Sequence, residues 1–327
     1  MKSLVSVQYL RALAALAVVA FHSGRATILG QAGVDIFFVI SGFIMWMVTA
    51  KPVEPAQFLW HRVVRVVPLY WIATLVMAVH RSSPLSDTVR SLLFWPYRDA
   101  SGDLWPVLVQ GWTLNFEMFF YLLFAATLMM PRRLQLLSLT AVLLSLGVIG
   151  IVFQPHEAEL HVYTSPLLIE FLAGVWLSEI VQRGRIPGVK IAVAMLFVGL
   201  LGFVVSLREP TPELWRFILW GGPSLLVVAG AICIELGRGM PTIKSLKLLG
   251  DGSYSIYLFH PFILRTVATP LTRFPALIGI AAVLAAGAAV GMVAFYVLER
   301  PLLVLLRRRT DRVIGTPAPV RVSTSGR

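Results

Sequence analysis

Stretches of roughly twenty mostly apolar residues recur along this chain from residue 7 to residue 298, and no other feature restricts its fold as tightly. A helix of that length spans about 30 Å, the hydrocarbon thickness of a bilayer. In hydrocarbon every backbone amide must be satisfied internally, so such runs have to be helical. Ten candidates stand out, at 7–28, 33–50, 64–80, 112–130, 134–153, 165–182, 190–207, 217–236, 253–270 and 276–298. The third is the weakest span, because Arg62 and Arg65 crowd its start. The expectation is an all-α, polytopic membrane protein with about ten transmembrane helices.

Composition removes the soluble alternatives. Hydrophobic residues make up 57% of the 327 positions and charged residues 13%, whereas soluble domains run near 45–50% and 25%. The net charge of +12 does not point to nucleic acid. Its basic residues lie between apolar runs, in segments such as "KPVEPAQFLWHRVVR", "PRRLQ", "QRGRIPGVK" and "RGMPTIKSLK", while the alternate loops are acidic or mixed. That bias places both termini in the cytoplasm. Arg11 within the first run, and the spans that follow, make that run a retained helix rather than a cleaved signal. The expected organisation is one integral-membrane domain over 1–306 and a basic, disordered cytoplasmic tail over 307–327. The single cysteine, Cys233, excludes an intrachain disulfide and a Cys-rich metal site.

Ionisable groups are costly in hydrocarbon and normally face a protein interior or a cavity, so they carry the functional information. Arg11 and His22 are eleven positions apart, which sets both on one face of a helix about 16 Å apart along its axis. Arg11 is either a snorkelling anchor or part of a site; His22 is either a helix–helix hydrogen bonder or a catalytic base. Asp35 lies at the other mouth of the second helix, as a dipole partner or as a neighbour of His22. Arg62 and Arg65, three apart on one face, would join Arg11 to form a receptor for phosphates, since guanidinium forks bind phosphate oxygens in pairs. The bland alternative is contact with anionic lipid.

Glu117 sits inside a strongly apolar segment and must find a partner or hold a proton. Late in the chain, Tyr257 and His260 precede Pro261, where a helix loses an amide donor, and a substrate-shaping role suits them. Glu299 is expected to pair with a base such as Arg62 or Arg300. Phosphate-binding loops, dinucleotide fingerprints, HExxH and a nucleophile elbow are all absent from the sequence, as is any histidine pair at i, i+4. No metal site is expected.

The segments "YLRALAALAVVAFH", "GVDIFFVISGF", "HRVVRVVPLYW", "WTLNFEMFFYLLF", "LGDGSYSIYLFHPF" and the terminal "ERP" together resemble the integral-membrane acyltransferase 3 family, over roughly residues 5–302. The resemblance implies transfer of an acyl group, usually acetyl, from acyl-coenzyme A to a sugar hydroxyl. Compact members resemble bacterial O-acetyltransferases of exopolysaccharide, lipopolysaccharide or nodulation factors. It also implies that His22 is the general base, with Asp35 and Glu117 as further catalytic groups. Arg11, Arg62 and Arg65 would hold the donor phosphates. The expected partners are acyl-coenzyme A, a saccharide or polyprenyl-linked saccharide, and membrane lipid. No tightly bound cofactor is expected, and the location is the bacterial inner membrane. Two rival readings remain: a proton-coupled transporter of a sugar conjugate, whose inverted repeat is not visible, and acyl transfer to a lipid, antibiotic or peptidoglycan sugar.

Overall fold

The computed structural model describes residues 4–23, 28–206, 213–268 and 275–313. Prolines and left-handed residues punctuate the helices. Helix α1 covers Val5–His22 and α2 covers Ala32–Val48. Helix α3 (Pro55–Arg81) opens on a proline, which needs no amide partner in the first turn, and stops at Ser82, φ 51°. The short α4 (Leu85–Leu92) follows. Helices α5 (Gly111–Thr127) and α6 (Arg132–Phe153) come next, the latter entered from Pro131 and ended by left-handed Gln154. They are followed by α7 (Ala158–Tyr163), α8 (Leu168–Gln182), α9 (Val189–Ser206), α10 (Arg216–Leu219) and α11 (Gly221–Arg238). The last are α12 (Lys244–Asp251), α13 (Ser253–Ala268), α14 (Ala276–Ala294) and α15 (Arg300–Val313). A π turn, Phe295–Glu299, joins α14 to α15.

Every one of the ten expected stretches is helical, but the expected count of spans is corrected. Among the described residues, seven helices are long and apolar enough to cross a membrane. Helices α2, α5 and α13 have 17, 17 and 16 residues, only about 24–26 Å of helix. The stretch expected to be weakest does qualify. Helix α3 begins at Pro55, well before the expected boundary, and runs for 27 residues. Its arginines are carried inside the helix because they line an interior chamber rather than meet lipid. Helix α15 continues to Val313, so the first part of the expected tail is helical; residues 314–327 lie outside the described residues.

The molecule is polar within and apolar without. Asp35, Glu170, Glu299, Ser253, Ser255 and His260 are buried, while Ile191, Val193, Phe197, Val198 and Leu200 of α9 are exposed. An apolar surface of this kind is stable against lipid tails.

Helix α2 is the centre of the packing, lying along α8 with α1, α5 and α11 around it. The α2–α8 approach depends on Gly42 and Gly174. A Cβ on Gly42 would overlap the Phe171 carbonyl, and one on Gly174 would overlap that of Val39. Small residues at such crossings let helix backbones touch. Gly174→Val is therefore expected to lower the thermal midpoint in detergent, through an overpacking loss of about 1–3 kcal/mol. An unchanged midpoint would show that the two backbones have room to separate.

Candidate active site

Two cavities lie on either side of one constriction. The inner chamber, about 150 Å³, is lined by Arg11 of α1, Ser41 of α2, Arg62 and Arg65 of α3, and Glu117 and Tyr121 of α5. The outer cavity, about 510 Å³, is lined by His22, Gln31, Asn115, Trp112, His161 and Arg216, with Arg98, Asp103 and Trp105 on its rim. Val34 and Tyr257 line both. Tyr257 is fixed there, because its hydroxyl donates to the Gln110 carbonyl at 3.2 Å and meets the Thr113 hydroxyl at 2.9 Å.

The three arginines expected together do share the inner chamber, but each is held differently. Arg65 Nη1 donates to Glu299 Oε1 at 2.5 Å, and the Ser255 hydroxyl donates to the other carboxylate oxygen at 2.5 Å. The π turn brings Glu299 inward to make this contact. Glu299 was expected to pair with Arg62 or Arg300, and its partner is Arg65 instead. Arg11 Nε donates to the Ser253 hydroxyl at 3.2 Å. Arg62 stacks over Phe58 at 5.9 Å, and its buried Nε has no hydrogen-bond partner. A buried donor without an acceptor is costly, so Arg62 has the clearest unspent capacity to bind an anion. Glu117 accepts from Ser41 Oγ at 3.1 Å and from the Tyr121 hydroxyl. Three arginines against two glutamates leave the chamber cationic.

His22 ends α1 and presents its ring to the outer cavity, although Arg11 of the same helix faces the inner one. Its Nδ1 lies 2.9 Å from the Val18 carbonyl and 3.3 Å from His260 Nε2. His260 is fully buried, and its own Nδ1 lies 3.2 Å from the Ile256 carbonyl. The two imidazoles are 5.0 Å apart at their centres.

The structure does not bring Asp35 or Glu117 into hydrogen-bond contact with His22. Asp35 is fully buried in the first turn of α2, where it accepts from Arg216 Nη2 at 2.8 Å and from Nε at 3.2 Å. Arg216 also donates to the Gln31 side chain and carbonyl, and it lies over Trp112 at 6.0 Å. The pairing thus orders a cation and an aromatic plane on the outer wall.

Sequence reasoning missed Arg216 and Glu170. A lone arginine beside the eighth apolar run, on the side assigned to acidic loops, is a departure from charge asymmetry that marks a retained interior cation. Glu170 is buried with neither carboxylate oxygen hydrogen-bonded. The rule that singled out Glu117 applies equally to it.

On the rim, Ser101 Oγ donates to Asp99 Oδ1 at 2.5 Å, and this hydrogen bond holds the Asp99 carboxyl below its ordinary range. Arg98 ties the same loop to the His156 carbonyl at 2.9 Å. Among the described residues no group of three or more His, Cys, Asp or Glu is placed to hold a metal ion.

Residues 4–298 match the family model described as an acyltransferase domain. The chain is 38% identical over 318 residues to exopolysaccharide production protein ExoZ of Rhizobium meliloti (strain 1021), covering 90% of this chain and 96% of that protein. It is 27% identical over 321 residues to peptidoglycan O-acetyltransferase OatA of Listeria monocytogenes, covering 83% of this chain but 50% of that longer protein. A putative membrane-bound transacylase, BcsY of Komagataeibacter xylinus, is 27% identical over 282 residues, which is 77% of this chain and 70% of the relative. No solved structure matches.

Proposed function

As a member of the integral-membrane acyltransferase 3 family, this chain is a membrane-bound acyltransferase, and we propose that it moves acetyl from acetyl-coenzyme A to a hydroxyl of an exported saccharide. The observation that carries this reading is the pair of chambers meeting at Val34 and Tyr257, one cationic and one holding His22. The similarity to an exopolysaccharide production protein over nearly its whole length supports a saccharide acceptor.

The donor chemistry suits the inner chamber. About 150 Å³ corresponds to roughly five liquid waters, so it admits a slender pantetheine arm and leaves the nucleotide at the mouth. Arg11, Arg62 and Arg65 neutralise the phosphates there. The basic segments flanking the helices orient that mouth toward the cytoplasm, where acyl-coenzyme A is made, and this makes a bacterial cytoplasmic membrane the location. The outer cavity, about 510 Å³, falls within the usual range for small-molecule sites and has room for a sugar. Trp112, Trp105, Asn115 and Gln31 give it apolar faces and hydrogen-bonding edges suited to one.

The thioester carbonyl reaches the constriction from the inside and the sugar hydroxyl from the outside. His22 Nε2 takes the hydroxyl proton as the oxygen attacks the carbonyl carbon. Collapse of the tetrahedral adduct forms the ester and breaks the carbon–sulfur bond. The imidazolium then returns its proton to the departing thiolate. Asp35 acts at one remove, holding Arg216 against the outer wall, and Glu117 shapes the arginine chamber.

The test is to supply labelled acetyl-coenzyme A to membranes from a strain lacking the gene, with and without the restored protein. Label is expected in surface saccharide only with the protein present. Movement of a saccharide across the membrane without consumption of acetyl-coenzyme A would sink this reading and favour transport.

The unspent donor of Arg62 makes a sharper forecast. Arg62→Gln is expected to raise KM for acetyl-coenzyme A by about ten- to a hundred-fold, the worth of one or two charge-assisted hydrogen bonds. Arg62→Lys recovers part of the loss, because it restores charge without the fork. A KM within twofold of the parent would remove Arg62 from the donor site.

A further inference from the structure

The two buried-end histidines form a directional pair. Each Nδ1 faces a carbonyl oxygen of its own helix, Val18 for His22 at 2.9 Å and Ile256 for His260 at 3.2 Å. A carbonyl can only accept, so each Nδ1 carries the proton. His260 Nε2 is then a bare acceptor, aimed at His22 Nδ1 from 3.3 Å. The reverse arrangement would set two lone pairs against the Val18 and Ile256 carbonyls. His22 therefore donates from Nδ1 to both Val18 and His260, and its Nε2 is left with a lone pair.

We propose that His260 is the positioning residue for His22, accepting its Nδ1 proton and so presenting a bare Nε2 to the outer cavity. The inference rests on His22 as the base, and it supplies what neither Asp35 nor Glu117 does in this structure. In other sites a carboxylate or carbonyl commonly orients a catalytic imidazole. Here a second, neutral imidazole takes that place, fixed from behind by the Ile256 carbonyl and wholly withdrawn from solvent. Being neutral, it stabilises the His22 imidazolium through its lone pair without adding a buried charge. The 238-residue separation of the partners explains why no local pattern displays the pair.

The test has two arms. In the first, the wild-type protein is labelled with ¹⁵N-histidine, reconstituted in lipid, and examined by solid-state NMR, with His22→Gln and His260→Gln assigning the two signals among the six histidines. Both rings are expected to be protonated at Nδ1 and bare at Nε2. A proton on His260 Nε2 facing a bare His22 Nδ1 overturns the proposal, whatever reaction the protein performs.

In the second arm, His260→Leu is expected to lower kcat for acetyl transfer from acetyl-coenzyme A by about ten- to a hundred-fold, the worth of one hydrogen bond to a developing cation. KM for acetyl-coenzyme A is expected to stay within twofold, because the donor chamber is untouched. His260→Gln, whose side-chain carbonyl can occupy the acceptor position, is expected to restore kcat to within about threefold. Equal losses in the Leu and Gln variants, or no loss in either, overturn the positioning role. If the saccharide reading itself is wrong, wild type fails in the second arm while the NMR arm still decides the tautomer.

Discussion

His22→Ala is expected to lower the rate of acetyl transfer by about a thousandfold while leaving the protein folded in the membrane. Removing a positioned general base typically costs a factor of 10²–10⁴. The fold should tolerate the change because one side of the ring faces the outer cavity and is exposed, so truncation there leaves no sealed void. The measurement is single-turnover transfer of labelled acetyl in reconstituted vesicles, with melting of the same sample as the control. A variant that melts like the parent and still transfers at the parental rate would remove His22 from the chemistry. Asp35→Asn offers a contrast, since it alters Arg216 rather than the imidazole and should affect saccharide binding and stability together.

The largest structural effect is expected at Glu299. Its carboxylate is buried and meets both Arg65 and Ser255. Glu299→Ala leaves the Arg65 guanidinium without its counter-ion in a low-dielectric interior. Breaking one side of a buried pair costs about 3–5 kcal/mol, whereas replacing both sides with apolar groups often costs much less. Unfolding in detergent should therefore show a large drop for Glu299→Ala and a much smaller one for the double variant Arg65→Met with Glu299→Met. Additive losses in the two single variants would mean that the pair is not coupled. The double variant separates stability from binding too, for it keeps the fold while withdrawing one cation from the inner chamber.

The helices were legible because lipid imposes one solution on a long apolar run, and each of the ten stretches is helical. Their number as spans was overcounted, since hydropathy does not reveal that α2, α5 and α13 are short and pack inward around the chambers. The gathering of Arg11, Arg62 and Arg65 was legible from facing and charge asymmetry alone. The partners were not. Asp35 meets Arg216 across 181 residues, and His22 meets His260 across 238. Such contacts depend on how helices are laid side by side, which periodicity within one helix does not encode. Glu117, expected near the imidazole, instead lies with the arginines, because α5 presents it to the inner chamber while Asn115, two residues earlier, lines the outer cavity.

The wide turn at Phe295–Glu299 has a consequence for how this chain tolerates changes in length. It holds one residue more than an ordinary helical turn, and that surplus sets the azimuth of everything after it. Deleting a single amino acid from this stretch would rewind it to regular pitch and swing the downstream segment by about 100°. The acid at its end would then swing from the interior toward the tails, stranding its guanidinium partner. A frame-preserving indel in this turn is therefore expected to be as damaging as losing the ion pair outright, even where every side chain removed is greasy and exposed.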